Sequence, residues 1–387
     1  AKNSHFKDNI KGILQTGTGG CMYNNLMFIV GLTGNYGMGK SAVLQMFREL
    51  GAVTIDADWV VQQLLKEKAI LKTIKVLFGA GVFDKKGNLD KSKIAQRIFR
   101  NKSLRLKLED LLHPLVFERI DDFFRKTKNG KKVFIVEAPL IFERGYESRF
   151  DKMITVFTSE TTAINRLSML GISPKDVIER LKCQFPIKEK IKKSDFVIDN
   201  SMNPEKTKKQ VTAVYKKLLK EAKTKNLILE GKVDRAAKVL GKPFSIEGTV
   251  IKGSGRGEKL LHTPTANISF KGYSPKEGVY AVRVAILKGQ VSGIRYQGKN
   301  NLSPSTLHLA AKTFNAVANI GKNPTFGEGA LSFEVHIFNF SGNLLGKKLK
   351  VHFIKHIRDE KKFPNAKALE TQIKKDIKRA KEMLKGI

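Results

Sequence analysis

The 387-residue chain has only two cysteines, a single tryptophan and no long hydrophobic run. Cys21 and Cys183 are too few and too far apart for a disulfide framework or a CxxC metal site. No segment reaches the roughly 18 consecutive apolar residues that a membrane helix needs. These absences argue against a disulfide-rich secreted protein and a transmembrane protein, and they predict a cytoplasmic location without a membrane partner.

Acidic residues are also scarce, because 36 Asp and Glu face 72 Lys and Arg, which gives a formal charge of +36. This balance favours anionic partners without choosing between nucleic acid, a lipid surface and a nucleotide, and a lysine-rich solvated surface is the alternative. A basic stretch near residues 206–224 leaves a nucleic-acid-binding protein as a remote hypothesis. No aromatic RNA-binding signature or zinc finger accompanies it, so no specific nucleic acid is expected.

The pattern along the chain changes twice. Residues 1–26 lack a sustained apolar core and are expected to form a flexible extension rather than a signal peptide. Short β-rich runs then alternate with helical stretches, which predicts parallel βαβ units and a doubly wound sheet. A basic amphipathic helix over 203–226 and a linker follow. Short glycine-broken strands and a closing helix capped by Asn365 predict an antiparallel barrel or sandwich. The predicted domains are 27–222 and 223–387.

The stretch IVGLTGNYGMGKSAVLQMF, residues 29–47, places a glycine-rich loop between a strand and a helix. Gly34, Gly39, Lys40 and Ser41 satisfy the pattern GxxxxGKS. Backbone N–H groups of such a loop cradle phosphate oxygens, and the following helix N-terminus adds its partial positive charge. Lys40 is expected to reach the β- and γ-phosphates of a nucleoside triphosphate, and Ser41 to bind Mg²⁺.

Two carboxylates follow in VTIDADWV, where Asp56 and Asp58 end the second predicted strand. Doubly wound folds bind ligands at this edge of the sheet. The pair could orient a hydroxyl nucleophile, accept its proton or hold magnesium through water. The alternative is an Asx turn that caps the next helix.

A series of motifs over residues 28–215 resembles dephospho-coenzyme A kinase: GLTGNYGMGKS, LGAVTIDAD, GNLDKSKIAQRIF, LLHPLV, VEAPLIFE and KKSDFVIDN, in that order. The resemblance implies a P-loop kinase fold and transfer of the ATP γ-phosphate to the ribose 3′-hydroxyl of dephospho-coenzyme A. It implies that Asp58 is the base and that Arg166 bridges the phosphates from a lid helix. The remaining implied site residues are Gly34, Gly37, Gly39, Lys40, Ser41, Ala42, Asp56 and His113.

The role of His113 competes with a plainer one, and the chain departs from the family pattern at two places. Taken alone, His113 would be a packed histidine, whereas the HPL motif implies substrate contact. Met169 and Leu170 occupy the region of a second lid arginine, and Gln62 stands where an arginine or histidine is common. These departures motivate an alternative in which this domain is degraded and only the second domain is active.

The second half carries a weaker glycine signal in KGSGRGEKLLHTPTANISF, where Gly253, Gly255 and Gly257 follow a predicted strand. Hairpins also use glycine for positive φ angles, so the loop alone is ambiguous. In TPTAN, the Thr265 hydroxyl and the Asn267 amide oxygen follow a proline that fixes the backbone, and they can converge on a hard cation.

Residues 231–384 resemble riboflavin kinase through TPTAN, GVYAV, VANIGKNPTFG and FEVHIFNFSGNLLGKKLKVHFIKHIRDEKKF. The resemblance implies a six-stranded antiparallel barrel that transfers the ATP γ-phosphate to the 5′-hydroxyl of riboflavin, giving FMN. Glu334, in SFEVHIFNF, matches the base, and Thr265 and Asn267 match the magnesium and phosphate ligands. Arg358 either approaches the flavin or pairs with Asp359 or Glu360.

Two departures occur in this half as well. His262 and Thr263 replace the residues usually found before the PTAN proline, and the segment 287–317 is longer than usual. No HxGH nucleotidyltransferase motif is present, so FAD synthesis is not expected. The sequence as a whole predicts a bifunctional kinase that uses ATP and Mg²⁺ on dephospho-coenzyme A and riboflavin.

Overall fold

A computed structural model describes residues 27–127, 133–252, 265–287, 313–322, 331–340 and 342–385. The predicted N-terminal extension, residues 253–264 and most of the long 287–317 segment lie outside these ranges. The chain divides into two compact units, residues 1–222 and 223–387. Within the described ranges, no helix combines the length and the apolar character needed to cross a membrane.

The first unit is built on a five-stranded parallel sheet with the strand order β2-β3-β1-β4-β5. Its strands are β1 (Phe28–Thr33), β2 (Val53–Asp56), β3 (Val133–Glu137), β4 (Lys152–Phe157) and β5 (Phe196–Asp199). Every residue of β1 and β3 is buried. Continuous apolar runs of this kind are typical of central strands that helices cover on both faces. The doubly wound sheet predicted from the sequence is therefore confirmed.

Helices cover the two faces of this sheet. They are α1 (Lys40–Glu49), α2 (Ala57–Leu64), α3 (Lys68–Phe78), α4 (Lys91–Arg100), α5 (Lys102–Lys126), α6 (Glu160–Ser168), α7 (Pro174–Lys182), α8 (Ile187–Lys193) and α9 (Pro204–Leu229). One apolar cluster joins β1 to α1 and α9, and another joins the opposite face to α2, α3 and α5. Alternate side chains of β1 enter each cluster, as the two-residue period of a strand requires.

The basic helix predicted over 203–226 ends three residues later than expected, because α9 continues to Leu229, and only residues 230–232 connect it to α10 (Val233–Leu240). The stretch KEAKTKN is polar, so the sequence pattern did not predict that the helix continues beyond it. In the fold, Thr224, Lys225 and Ile228 are buried. The Lys225 ammonium lies 5.4 Å from the centroid of the Tyr273 ring, a cation–π contact that the sequence pattern does not reveal.

The second unit contains a closed barrel with the strand order β10-β7-β6-β11-β8-β9, and its paired strands are antiparallel. The strands are β6 (Phe244–Ile251), β7 (Ala266–Phe270), β8 (Gly278–Leu287), β9 (Thr313–Lys322), β10 (Leu331–Ile337) and β11 (Lys348–Arg358). The alternation of apolar and polar residues in the sequence predicted five of these strands. The sixth, β7, was implied only by the resemblance to riboflavin kinase, which requires a six-stranded barrel. The six-stranded barrel is confirmed.

A final helix, α11 (Ala366–Leu384), packs on the outside of this barrel. The Asn365 side chain accepts a hydrogen bond from the Ala368 N–H at 2.9 Å, so the predicted cap is present. Ala380 and Leu384 of the helix contact Val279, Ala281 and Val317, which face outward from β8 and β9. The side chains on the opposite face of each strand point inward and fill the barrel interior.

Candidate active sites

The glycine-rich loop of the first unit has a backbone that only glycine accommodates. Gly34 and Gly39 have φ angles of +152° and +83°. A Cβ atom at Gly34 would lie 2.3 Å from the Val156 carbonyl oxygen, and one at Gly39 would lie 2.1 Å from Asn200 Nδ2. Gly37 has a φ angle of +78°, and a Cβ atom there would lie 2.7 Å from Leu167 Cδ1 of α6. The loop is thus held tightly against the carboxyl edge of the sheet.

The first turn of α1 is arranged to receive an anion. Gly39 is its N-cap, no side chain caps the turn, and no acidic residue lies in it. The N–H groups of Lys40, Ser41 and Ala42 therefore carry the positive end of the helix dipole toward the cleft. Lys40 Nζ donates to the Asn35 carbonyl oxygen at 3.3 Å. Burial lowers the pKa of Lys40, and the carboxylates of Glu137, Asp58 and Asp56 oppose that change.

Asp56 and Asp58 have different positions, because Asp56 is the last residue of β2 and Asp58 lies two residues further on. Asp56 Oδ1 accepts hydrogen bonds from the N–H groups of Asp58 at 2.8 Å and Trp59 at 3.3 Å. The Asx cap considered for this pair therefore describes Asp56. Asp58 lies in the first turn of α2 and lines the cleft. Its side chain is exposed to solvent in the cleft. Desolvation by the surrounding residues nevertheless raises its pKa, and the negative charge of Asp56 raises the pKa further.

Glu137 is a site residue that the sequence analysis did not single out, although the motif VEAPLIFE contains it. It ends β3 and pairs in register with Asp56 of β2. Its Oε1 accepts a hydrogen bond from Ser41 Oγ at 3.1 Å. Its Oε2 is buried without a hydrogen-bond partner among the described residues. Burial is the main cause that raises the pKa of Glu137 to about 7. The sequence signal that could have identified Glu137 is its position at the end of a strand, which it shares with Asp56.

These groups fit a magnesium ion bound together with a nucleotide. The Ser41 hydroxyl, the buried Glu137 Oε2 and the Asp58 carboxylate are hard oxygen donors of the kind that Mg²⁺ selects. Among the residues with described positions, no group of three His, Cys, Asp or Glu could hold a metal ion. Mg²⁺ commonly uses one or two carboxylates and completes its shell with phosphate and water, so the small protein ligand set agrees with that habit.

The loop and these carboxylates open into one cleft with a volume of about 1050 Å³. Arg166 of α6 lines it and donates to the Asn200 carbonyl oxygen at 2.9 Å. Met169 and Leu170, where a second lid arginine was expected, are 86% and 76% exposed. Arg180 of α7 also lines the cleft, and its guanidinium carbon lies 4.8 Å from the centroid of the Tyr36 ring. A second cation therefore reaches the cleft from a different lid helix.

A hydrogen-bonded chain joins the segment after α7 to the phosphate-binding loop. The Tyr36 N–H donates to Gln184 Oε1 at 2.8 Å, and Asn35 Nδ2 donates to the Phe185 carbonyl oxygen at 3.0 Å. The Phe185 N–H donates to Glu143 Oε1 at 2.9 Å. Fully buried Lys190 donates to the same carboxylate oxygen at 2.7 Å. This buried ion pair thereby helps to fix the loop.

His113 lies in a smaller cavity of about 110 Å³ that Asp58 also lines. Its Nδ1 is 2.9 Å from the Tyr146 hydroxyl, and the two rings pack edge to face. Burial lowers the pKa of His113, which favours the neutral imidazole. The structure therefore places His113 both in a packed pair and at a cavity shared with Asp58, and its contact with substrate stays a prediction.

In the barrel, Glu334 occupies the centre of a row of polar residues. It pairs in register with Asn267 of β7 on one side and with Asn319 of β9 on the other. Its neighbours Phe333 and Val335 enter the core, so the row lies on the outer face. Ser332 Oγ donates to Glu334 Oε1 at 3.2 Å. The fold thus places Glu334 beside Asn267, 67 residues earlier, with Thr265 just before β7.

Arg358 pairs with a carboxylate that the sequence analysis did not consider, and its approach to the flavin stays a prediction. Its Nε and one terminal nitrogen donate to Asp376 Oδ2 of α11 at 2.9 and 2.8 Å. Its other terminal nitrogen donates to the backbone oxygen of Asp359 at 2.9 Å. The predicted pairing with the Asp359 or Glu360 carboxylate is wrong, because helix docking brings a buried partner from 18 residues away. Gly253, Gly255 and Gly257 lie outside the described residues.

The chain was compared with known families and proteins. The family model for dephospho-CoA kinase matches residues 28–206, and the model for riboflavin kinase matches residues 240–384. Over 193 residues the chain is 38% identical to the dephospho-CoA kinase of Aquifex aeolicus, covering 50% of this chain and 98% of that protein. The enzyme of Listeria monocytogenes is 33% identical over 198 residues, covering 49% and 97%.

A crystal structure of dephospho-CoA kinase from Campylobacter jejuni is 25% identical, with a TM-score of 0.39, and it covers 50% of this chain and 98% of that chain. Family membership rests on the sequence matches and not on this structural likeness. The chain belongs to the dephospho-CoA kinase family through residues 28–206 and carries a riboflavin kinase domain over residues 240–384, which makes it a bifunctional phosphotransferase of cofactor biosynthesis.

Proposed function

We propose that the first unit transfers the γ-phosphate of ATP to the ribose 3′-hydroxyl of dephospho-coenzyme A, and that the barrel transfers it to the 5′-hydroxyl of riboflavin. The observation that carries the proposal is that one cleft contains Asp58, Lys40, Ser41 and Glu137 together. Phosphoryl transfer needs these groups in one place: donors for the triphosphate, and a base for the alcohol.

In the first site, the loop and the first turn of α1 bind the triphosphate through backbone N–H groups. Lys40 adds a charge at the phosphates, and Arg166 offers a guanidinium from the lid. Asp58 orients the acceptor hydroxyl and takes its proton. The raised pKa of Asp58 makes it a stronger base than an ordinary aspartate, as general base catalysis requires.

Ser41, with the Glu137 carboxylate hydrogen-bonded to it, would hold Mg²⁺, which when bound would neutralise charge on the phosphates. Glu137 also fixes the Ser41 hydroxyl through their hydrogen bond. Arg180, over the Tyr36 ring, supplies a cation from α7 in a lid that has no arginine at residues 169 and 170. We therefore propose that this site is active and not degraded.

In the second site, Glu334 takes the proton of the riboflavin hydroxyl. Asn267 lies directly across from it, and Thr265 is close in sequence, so both can serve a phosphate-bound Mg²⁺. Gly253, Gly255, Gly257 and Arg358 belong to the same proposal as nucleotide or flavin contacts. Arg358 would act from its place beside Asp376. A cytoplasmic location, without a membrane or specific nucleic-acid partner, completes the proposal.

The test uses the full chain with ATP and Mg²⁺ and each acceptor in turn. Asp58→Asn should lower kcat with dephospho-coenzyme A by about 10²–10⁴-fold, the usual contribution of a general base, and leave the riboflavin reaction intact. Glu334→Gln should do the reverse, so each variant is the control for the other. Absence of both activities in folded wild-type protein would refute the proposal, and absence of the first alone would support the degraded alternative.

A further inference from the structure

The wall of the first cleft formed by α5 and the turn after β3 carries two arginines around one carboxylate. Arg105 and Glu109 are one helical turn apart, with Nε 4.0 Å from Oε1. Arg144 reaches the other oxygen, Oε2, of the same glutamate. All three side chains line the cleft and are partly buried. None of the three belongs to the phosphate-binding loop or to the residues assigned above.

This cluster has a positive charge left over, because two guanidinium groups share one carboxylate. Burial, and then the neighbouring Arg105, lower the pKa of Arg144. Arg105 Nε is buried and has no hydrogen-bond partner among the described residues. Like charges that are held together with an unused donor are costly unless a second anion joins them. Among the described residues, Glu109 is the carboxylate that forms an ion pair with either arginine.

The position of Arg144 indicates which substrate would bring that anion. Arg144 lines both the large cleft and the smaller cavity, and Asp58 is also common to both. His113 and Tyr146 also line the smaller cavity, whose other walls are mostly apolar. The triphosphate of ATP is already provided with the loop, Lys40 and the first turn of α1. A separate anion site that shares a cavity with the proposed base suits the acceptor better than the donor.

We infer that Arg105 and Arg144 bind the diphosphate of the acceptor and select alcohols that carry such an anionic arm. The inference rests on the proposed dephospho-coenzyme A kinase activity. Guanidinium forks match phosphate oxygens in bidentate geometry, and Glu109 holds the two forks in place. The acceptor diphosphate would take up the charge of the pair while its ribose hydroxyl extends toward Asp58.

The test compares Arg105→Gln and Arg144→Gln with the wild type in the dephospho-coenzyme A reaction. Each variant should raise the KM for dephospho-coenzyme A by about tenfold or more, because a charged hydrogen-bond partner is lost, with the KM for ATP unchanged within about twofold. Arg144→Lys keeps the charge but loses the bidentate guanidinium. Its KM for dephospho-coenzyme A should lie between those of the wild type and Arg144→Gln. Quenching of Trp59 fluorescence by dephospho-coenzyme A without nucleotide gives an independent Kd, which should weaken in parallel.

Arg119→Gln is the matched control, because Arg119 lies on the same helix but pairs with Glu67 at the surface. It should leave both KM values at wild-type levels. If the wild type turns over dephospho-coenzyme A while both Gln variants keep its KM and Kd, the inference is overturned and the proposed function survives. An equal rise in the KM for ATP would also overturn it. A wild type without this activity refutes the proposed function itself.

Discussion

At the scale of single residues, the first site depends on carboxylates whose charge the fold makes costly. Glu137 is 6% exposed, and its Oε2 is buried without a hydrogen-bond partner among the described residues. Such a group favours the protonated form until a cation arrives. Burial of Glu137 should therefore lower the free energy of unfolding when this carboxyl is charged. A bound cation should offset that cost.

Stability of the first unit should consequently fall as pH rises. The folded state raises the pKa of Glu137 from 4.5 to about 7, so this carboxyl holds its proton more tightly when folded. Its contribution is complete below pH 4.5 and is lost as the pH passes through about 7. A shift of this size corresponds to about 3 kcal/mol. Glu137→Gln should remove that slope from the free energy of unfolding.

Trp59, the only tryptophan of the chain, lies in the first unit and reports its unfolding by fluorescence in urea. The measurement is made at several pH values between 4.5 and 8 without nucleotide or metal. Glu189→Gln serves as the control, because Glu189 is an exposed carboxylate of the same unit. Identical slopes in the wild type and Glu137→Gln would contradict this account of the buried carboxyl.

At the scale of elements, the loop and α1 form one anion-binding device. The strand β1 ends at Thr33, the glycines turn the chain, and α1 begins at Lys40 without a side-chain cap. Gly39 is the critical junction, because it combines a positive φ with close contact to Asn200. Asn200, the residue after β5, donates to the Met38 carbonyl oxygen at 3.0 Å and so holds the loop from the carboxyl end of that strand.

Gly39→Ala should therefore damage ATP binding in the first reaction only. The new methyl group would collide with Asn200 Nδ2 and move the N–H groups that face the phosphates. We expect the KM for ATP with dephospho-coenzyme A to rise at least about tenfold, since losing one charge-assisted hydrogen bond already has this effect. The KM for ATP with riboflavin should stay unchanged. Steady-state kinetics with each acceptor measure both values.

Gly79→Ala is the control that distinguishes the effect of backbone strain from the effect of a damaged phosphate-binding loop. Gly79 also has a positive φ, at the end of α3, but no atom of the described residues lies within 4 Å of the added Cβ. This variant should lower the free energy of unfolding by about 1–3 kcal/mol and leave both KM values unchanged. If Gly79→Ala raises the KM for ATP as much as Gly39→Ala does, the collision at Asn200 is not the cause.

The elements also show how far the sequence could predict the fold and the sites. The strands β1 and β3 could be located because continuous apolar runs between helical patterns have few other interpretations. The end of α9 could not, because buried Lys225 looks like a surface residue until Tyr273 is placed over it. Motif order predicted Lys40, Ser41 and Asp58. Contacts between distant segments, such as Arg358 with Asp376, depend on tertiary packing that no local pattern encodes.

At the scale of the whole molecule, the charge of +36 acts differently on the two proposed acceptors. Dephospho-coenzyme A is an anion that such a field attracts, and riboflavin is neutral. Salt screens this attraction, with a Debye length that shortens to about 8 Å at physiological ionic strength. The net charge should thus assist one reaction through its acceptor and both reactions through ATP.

Raising the salt concentration from about 50 to 200 mM at saturating ATP should increase the KM for dephospho-coenzyme A several-fold, because screening weakens long-range attraction over this range. The KM for riboflavin should stay constant, and it serves as the internal control in the same preparation. Equal changes in both KM values would show that salt acts on ATP or on folding and not on the charged acceptor.

The central claim is that one chain holds two separate sites that transfer a phosphoryl group to two different alcohols. The most direct test measures ADP formation by the full chain at saturating ATP and Mg²⁺ with each acceptor alone and then with both together. Two separate sites predict that the rate with both acceptors equals the sum of the two single rates. A combined rate that lies between the two single rates would mean that the acceptors compete for one site, and it would contradict the account.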